Sequence, residues 1–337
     1  MRRGDPSLGP PPKIHTGTVT LLHLSDTHML HRTLRPDTDL PAADILVHTG
    51  DFTNSGSEAE FQDFNDWLGS VRPKFKHIVV ICGNHEFRTR PYPRDVLSSD
   101  FAKRRLSHAT HVLHHEAAVI EGITFFGSTW CPWSEHENPD TAPYTTDHVD
   151  LFRHWMESAE ACGSLALQTA PPVNMFHQIA RLPGNGHGID VLLTHGPPHG
   201  IFDKMETTTQ SWGSSRQLRG RIECVGVGAH LFGHLHEQRG YWEKKKTAVA
   251  GGTNDVHVEW VGGCEFEATP GVKWTTFDAP PADYNCQFIS CNAMKNHGGM
   301  DGRRACIAGP GRLIYAKKHV DGWKFSVEPT CTKRGVQ

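Results

Sequence analysis

The sequence lacks the features that mark several classes of protein. Its 34 Lys and Arg residues against 37 Asp and Glu leave a net charge of −3, so bulk charge does not favour nucleic-acid or membrane-surface binding. No apolar run approaches the ~20 residues of a membrane-spanning helix, and the first residues show no signal-peptide pattern. The nine cysteines include no CxxC pair, which favours reduced thiols. We therefore expect a cytoplasmic protein with no membrane partner and no bulk nucleic-acid binding.

Histidine, in contrast, is abundant. The chain contains 24 histidines beside 37 acidic residues. Neutral imidazole is the commonest metal ligand in proteins, and carboxylates ligate the same divalent ions. The composition therefore favours a search for metal-binding positions at which these residue types occur together.

The domain organisation is predicted from composition and periodicity. Residues 1–17 contain four prolines and almost no apolar residue, which predicts a disordered tail. Residues 18–330 are predicted to form a single domain, because no Pro- or Ser-rich linker divides them. Two stretches, 134–188 and 255–284, lack clear periodicity and are predicted to be insertions or long loops.

The apolar runs predict an α/β protein. Residues 19–24, 43–48 and 77–81 read as strands, and a capping box at 57–60 precedes apolar residues at helical spacing. Strand, helix and strand in this order, with near-continuous apolar strands, indicate a buried and largely parallel sheet. Further predicted strands suggest a second, mixed sheet: 119–120, 123–126, 190–193, 229–232, 247–250, 286–290 and 313–316. The lysines at 244–246 read as a solvated turn.

Residue types that bind metals follow several of these strands. They are Asp26, His28, Asp51, Asn84, His85, Glu86, His195, His234 and His236. The carboxyl ends of strands are where ligands gather in open α/β sheets, so these side chains should converge. A spacing of two places both side chains of Asp-x-His or His-x-His on one side of an extended segment. By comparison, a single buried histidine is usually a core residue, and we assign His23, His48 and His230 to the core.

Five sequence blocks together resemble the calcineurin-like metallophosphoesterases. The blocks are Asp26-Thr27-His28, Gly50-Asp51, Gly83-Asn84-His85-Glu86, Thr194-His195-Gly196 and Gly233-His234-Leu235-His236. Segments 46–53, 64–69 and 193–198 are also similar to the small metallophosphoesterase-domain branch of animals, described as class III phosphodiesterases. The resemblance covers roughly 18–250 and the closing strands. It implies a four-layer αββα sandwich of two mixed sheets flanked by helices, with a dinuclear metal centre.

The resemblance also implies a role for each residue of these blocks. One divalent ion would be held by Asp26, His28, Asp51 and His236. The other would be held by Asp51, Asn84, His195 and His234, with Asp51 as the bridge. Nitrogen and oxygen donors without thiolate suit Mn, Fe, Zn or Ni better than Cu(I) or an Fe–S cluster. His85 resembles the proton donor of the family, and Glu86 is expected to orient it.

This set of residues predicts hydrolysis of a phosphate ester. Two divalent ions, two carboxylates and a hydroxide sum to about +1, which attracts an anionic substrate. Such a centre lowers the pKa of bound water from 15.7 towards about 7 and so supplies hydroxide. We predict a small phosphodiester, such as a cyclic nucleotide, as the substrate, attacked by a metal-bridging hydroxide with His85 as proton donor. Two alternatives stay open: a phosphomonoesterase or nucleotidase on the same centre, and a non-catalytic binding protein that retains the fold.

Overall fold

A computed structural model describes most of the predicted domain. The described residues are 17–87, 100–114, 116–128, 189–204, 214, 216–236, 238–248, 256–264, 279–295, 305–307 and 309–327. The predicted tail, apart from Gly17, and the predicted insertion at 134–188 lie outside them. Among the described residues there are thirteen strands: β1 Thr18–Leu24, β2 Ile45–Thr49, β3 His77–Ile81, β4 His111–Val112, β5 Glu116–Ile120, β6 Ile123–Ser128, β7 Ile189–Thr194, β8 Val227–Phe232, β9 Arg239–Ala248, β10 Val256–Cys264, β11 Cys286–Asn292, β12 Arg312–His319 and β13 Gly322–Ser326.

The strands form two mixed sheets. The first has the order β13-β12-β1-β2-β3-β4, and the second has the order β10-β9-β11-β8-β7-β6-β5. Strands β1 to β4 run parallel, as do β6, β7, β8 and β11 in the second sheet. Antiparallel strands complete both sheets at their margins. The carboxyl ends of the central parallel strands therefore lie at one edge of each sheet.

In the described part of the chain, three α-helices pack on the outer faces of the sheets. Helix α1 spans Glu58–Val71, α2 spans Asp100–Arg105 and α3 spans Arg216–Val225. The predicted capping box begins α1: the Ser57 hydroxyl accepts the Glu60 N–H, and the Glu60 carboxylate accepts the Ser57 N–H. This arrangement satisfies two amides that the helix itself leaves without partners.

The apolar core divides into three layers that match the predicted sandwich. Side chains from the facing sides of both sheets, such as Leu21 of β1 and Val191 of β7, pack together in the middle. Leu22 points the other way and packs with the α1 residue Phe64, while Ile222 of α3 packs on the outer side of the second sheet. Alternation along a strand explains this division, because successive side chains point to opposite faces. The predicted α/β class with two mixed sheets is confirmed.

Three local predictions differ from the structure. The lysines at 244–246 lie within β9 rather than in a turn, and the ladder pairs Lys245 with Glu259 of β10. Strand β10 itself falls in the segment 255–284, for which the sequence predicts a loop. Strand β12 joins the first sheet beside β1, not the second. In each case pairing between strands that are distant in sequence decides the outcome, which local composition alone does not reveal.

No helix in the described segments is long and apolar enough to span a membrane.

Candidate metal centre

The loops that follow β1, β2, β3, β7 and β8 converge at one edge of the two sheets. They carry all seven predicted metal ligands, and the structure brings these together: Asp26, His28, Asp51, Asn84, His195, His234 and His236. Their convergence agrees with the expectation from strand ends. Their role as ligands stays a prediction.

The first group of donors consists of Asp26, His28 and His236. The His236 Nε2 atom lies 3.3 Å from Asp26 Oδ1 and 3.0 Å from His28 Nε2. The donor atoms of the three residues all lie within 4.8 Å of one another. One carboxylate and two imidazoles at this spacing are a suitable donor set for a divalent transition metal.

The second group consists of Asn84, His195 and His234, with the Asp51 carboxylate beside them. The Asn84 Oδ1 atom is 3.0 Å from His195 Nε2 and 3.1 Å from His234 Nδ1. His195 Nε2 is also 3.2 Å from Asp51 Oδ2. Amide oxygen, carboxylate and two imidazoles again form a donor set without sulfur.

Asp51 lies between the two groups. Its Oδ2 atom is 3.2 Å from His195 in the second group and 3.6 Å from His28 in the first. A single carboxylate in this position can serve both groups, which fits the bridge implied by the family resemblance.

The electrostatics of the buried pocket also suit cations. Asp26 and Asp51 are at most 2% exposed, and two buried carboxylates are costly without positive partners. Burial raises the pKa of Asp26, but the hydrogen bond from His236 and the charge of His195 outweigh this and hold the pKa below its usual range. Burial likewise acts to raise the pKa of Asp51, and the charge of His195 helps to hold it below its usual range. Both carboxylates therefore stay ionised, as metal ligands must be.

The histidines of the centre differ in their protonation. Burial lowers the pKa of His28 and of His234 to about 3, so both are neutral and present a lone pair. Burial also acts to lower the pKa of His195, but the Asp51 carboxylate outweighs it and raises this pKa to about 10. A cation that binds beside Asp51 would therefore replace the proton on His195.

The backbone at the centre adopts an unusual conformation. Among the described residues other than glycine, seven have positive φ angles, and four of these are predicted ligands. They are Asp26 (φ 53°), His28 (φ 40°), Asp51 (φ 56°) and His234 (φ 72°). Left-handed conformations cost about 1–3 kcal/mol each and cluster at functional sites, where the surrounding structure holds them. Loops held in left-handed conformations therefore bring these side chains together.

Two glycines permit the close approach of these loops. A Cβ atom on Gly83 would meet the Asp51 carboxylate and the His195 ring, and one on Gly233 would meet the Asp26 carboxylate. Only a residue without a side chain fits at these positions. The glycines in the sequence blocks thus reflect steric limits around the donor atoms.

Three further histidines lie in the strands behind the centre, as the core assignment predicts. His23 bonds Ser290 Oγ at 2.9 Å and Thr49 Oγ1 at 3.0 Å, while His48 and His230 each bond a threonine hydroxyl. Burial lowers the pKa of His48 and of His230 to about 3. These rings are neutral and hydrogen-bonded, which supports the ligand-bearing loops without adding charge.

His85 lies at the open side of the centre, where its side chain is 20% exposed. Its backbone N–H donates to Asp51 Oδ1 at 2.8 Å, and its ring stands edge-on to His28 with centroids 4.5 Å apart. The Nδ1 atom is 2.6 Å from the Asn54 carbonyl oxygen. Because a carbonyl only accepts, Nδ1 carries the hydrogen, and Nε2 is the atom that faces Asp51, 3.9 Å from its Oδ2.

Glu86 does not hydrogen-bond His85, contrary to the expectation from sequence. Its Oε2 accepts the N–H groups of Asp51 at 2.8 Å and Gly83 at 2.6 Å. Its Oε1 accepts the N–H and the hydroxyl of Thr53, both at 2.8 Å. Glu86 therefore holds together the loops that follow β2 and β3, while the Asn54 carbonyl orients His85. No sequence pattern reveals the carbonyl, because every residue has one.

We expect Glu86→Gln to destabilise the fold and weaken metal binding. An amide has only one acceptor oxygen, so its NH2 group must face backbone N–H donors that the carboxylate now satisfies. Leaving buried backbone N–H donors without an acceptor should lower the free energy of unfolding by about 1–3 kcal/mol. Thermal unfolding and metal analysis measure both effects, with Glu259→Gln at an exposed position as the control. Unchanged stability and metal content would refute this role of Glu86.

Comparisons with known proteins agree with the site. The family model described as calcineurin-like phosphoesterase matches residues 19–238. Metallophosphoesterase domain-containing protein 1 of Homo sapiens is 28% identical over 240 residues, which cover 66% of this chain and 62% of that protein. A UPF0046 protein of Caenorhabditis elegans is 29% identical over 239 residues and 68% of each chain. The match thus spans less than two thirds of the human relative.

The matched region, residues 19–238, contains every predicted ligand and both groups of donor atoms. Sequence blocks, fold and geometry therefore agree with the family comparison. The chain belongs to the calcineurin-like phosphoesterase family.

Proposed function

We propose that the protein is a dinuclear metal-dependent phosphoesterase that hydrolyses a small phosphodiester, with a cyclic nucleotide as a candidate. The observation that carries the proposal is the position of the Asp51 carboxylate, within 3.2 Å of His195 and 3.6 Å of His28. Two groups of donors that share one carboxylate suit two ions side by side, the arrangement used for in-line displacement at phosphorus.

The donor groups define which residues would hold each ion. Asp26, His28 and His236 would hold one ion, Asn84, His195 and His234 would hold the other, and Asp51 would serve both. When bound, two such ions polarise the phosphoryl oxygens and supply a hydroxide nucleophile at neutral pH. The two buried carboxylates would offset part of the ions' charge, and the imidazole and amide donors would help to hold the ions in place.

His85 is suited to deliver a proton to the leaving oxygen. Its Nδ1–H is bonded to the Asn54 carbonyl, so any second proton resides on Nε2, which faces the centre. The ring is partly exposed, unlike the buried ligand His195, and can approach a bound substrate. In the imidazolium form it would donate the Nε2 proton as the ester bond breaks and become neutral.

Metal reconstitution tests the proposal. The metal-free protein, prepared with a chelator, should not hydrolyse bis(p-nitrophenyl) phosphate, and Mn²⁺ or a similar divalent ion should restore hydrolysis. Metal analysis of the same sample should show two ions per chain at saturation. Undiminished hydrolysis by a demonstrably metal-free sample would refute the proposal.

A second substrate distinguishes the alternatives. Assays with p-nitrophenyl phosphate and a panel of nucleotides separate a diesterase from a monoesterase or nucleotidase on the same centre. A metal-loaded protein that hydrolyses neither class of ester would instead be a binding protein. The complete donor set together with His85 favours an enzyme, since a scaffold has no need of a proton donor.

A further inference from the structure

Lys295 lies beside the candidate metal centre, although the sequence blocks do not include it. After β11 ends at Asn292, the chain continues alongside the loop that follows β1, and Ala293 pairs with Ser25 in a parallel bridge. The Lys295 N–H then donates to the Asp26 carbonyl at 3.0 Å. Paired backbones lie about 4.8 Å apart. The backbone of Lys295 is therefore about this far from that of Asp26, a predicted ligand.

The side chain of Lys295 is half-buried, and its ammonium makes no hydrogen bond or ion pair with any residue that the structure describes. Burial lowers its pKa, while the charges of Asp51 and Asp26 act to raise it. The ammonium therefore lies within electrostatic range of both carboxylates without pairing with either. Other lysines near carboxylates do pair, as Lys76 does with Asp44 at 2.7 Å.

A partly desolvated ammonium is strongly drawn to an anion that reaches it. The two carboxylates whose charges act on Lys295, Asp51 and Asp26, are both predicted metal ligands. If they hold metal ions, the ammonium remains available to a bound anion. The phosphoryl group of a monoester has three non-bridging oxygens, so at least one would remain if each of two ions took one. Lys295 is thus placed to take one of these oxygens.

We propose that Lys295 binds an oxygen of the substrate's phosphoryl group and sets how strongly the site favours dianionic over monoanionic phosphate esters. The inference rests on the proposed phosphoesterase function and names the residue that determines charge preference. A phosphomonoester carries a charge of about −1.5 to −2 at pH 7, whereas a diester carries a single negative charge. An added positive charge at the site therefore stabilises a bound monoester more than a bound diester.

Phosphate binding tests this role directly. Inorganic phosphate is titrated calorimetrically into the metal-loaded protein and into Lys295→Gln, Lys295→Arg and Lys317→Gln. Loss of a charge-assisted hydrogen bond should weaken phosphate binding about tenfold or more in Lys295→Gln, while Lys295→Arg keeps the charge and most of the affinity. Lys317 is exposed and pairs with Thr18 at the far end of β1, so Lys317→Gln should bind phosphate as the unaltered protein does.

The preference between a monoester and a diester gives a second measurement. This preference would not change if Lys295 were only structural. In Lys295→Gln, the ratio of kcat/KM for p-nitrophenyl phosphate to kcat/KM for bis(p-nitrophenyl) phosphate should fall about three- to tenfold, because the dianion loses more attraction. Lys295→Arg should restore the ratio.

Three outcomes separate this inference from its alternatives. Unchanged phosphate affinity in Lys295→Gln with full metal content overturns it. Loss of metal in both Lys295→Gln and Lys295→Arg also overturns it, because Lys295 would then only support the Asp26 loop. If the metal-loaded protein hydrolyses neither ester, the proposed function fails, but the phosphate titration still decides whether Lys295 binds the anion.

Discussion

Replacing Asp51 with asparagine is expected to reduce the metal content from two ions to less than one per chain and to lower ester hydrolysis by more than about 100-fold. The structure explains why an isosteric amide fails. Asp51 Oδ1 accepts the His85 N–H, and Oδ2 faces His195 and His28. If the amide oxygen keeps the first contact, the NH2 group faces the ions; if the amide flips, its NH2 group meets the His85 N–H.

The size of the effect follows from the shared position of Asp51. Mutation of residues that merely orient metal ligands typically lowers metal affinity or activity by about 10–100-fold. Mutation of a carboxylate predicted to serve two ions should therefore lower both by more. Metal analysis after dialysis and the rate with bis(p-nitrophenyl) phosphate measure both effects.

His236→Ala is the matched control for this experiment. His236 contacts Asp26 and His28 of the first group, so its loss should chiefly empty one site and leave the other near full occupancy. Full metal content and rate in Asp51→Asn would show that the assigned bridge is wrong. Equal loss from both sites in His236→Ala would contradict the division into two groups.

The effect of His85→Ala is expected to depend on the leaving group. A general acid typically contributes about 10²–10⁴-fold, and proton transfer matters most when the leaving oxygen is basic. Nitrophenolate departs without a proton, whereas the ribose oxygen of a cyclic nucleotide does not. The variant should therefore lose little activity with the nitrophenyl diester and about 10²-fold or more with an alkyl or cyclic diester.

The measurement is a leaving-group series with metal content determined in parallel. Alanine retains the backbone N–H that donates to Asp51 Oδ1, and His85 is not one of the seven predicted ligands, so the metal ions should stay bound. His111→Ala, at a partly buried position on the edge strand β4, serves as the control and should change neither rate. Equal losses of rate for all leaving groups would show that His85 is not the general acid. Its role would then be substrate binding or packing.

Local patterns in the sequence predict much of the fold. The strand at 77–81 has the predicted bounds, and the capping box starts α1 at Glu58. Both depend on neighbouring residues alone: the run of apolar side chains in a buried strand, and the reciprocal hydrogen bonds of Ser57 and Glu60. In contrast, the two-residue strand β4 has too short a pattern to detect.

Long-range pairing explains most of what the sequence does not predict. Strand β12 lies beside β1, and Lys317 pairs with Thr18 from the other end of the chain. In β9, a run of lysines is held in a strand because every residue of β10 pairs with it. Strand propensity depends on such neighbours in the sheet more than on the residue itself.

The sequence by itself determined which residue types stand at the ends of the strands and in what order, and therefore that candidate metal ligands gather at one edge. The family resemblance already implies how these residues are grouped, but only the tertiary structure decided their distances, with Asp51 between two sets of donors. It also decided that Glu86 holds backbone amides and that Lys295 lies beside Asp26. The physical reason is that residue type and strand periodicity are local properties, whereas these contacts arise where separate loops meet and backbone groups without a sequence signature become partners.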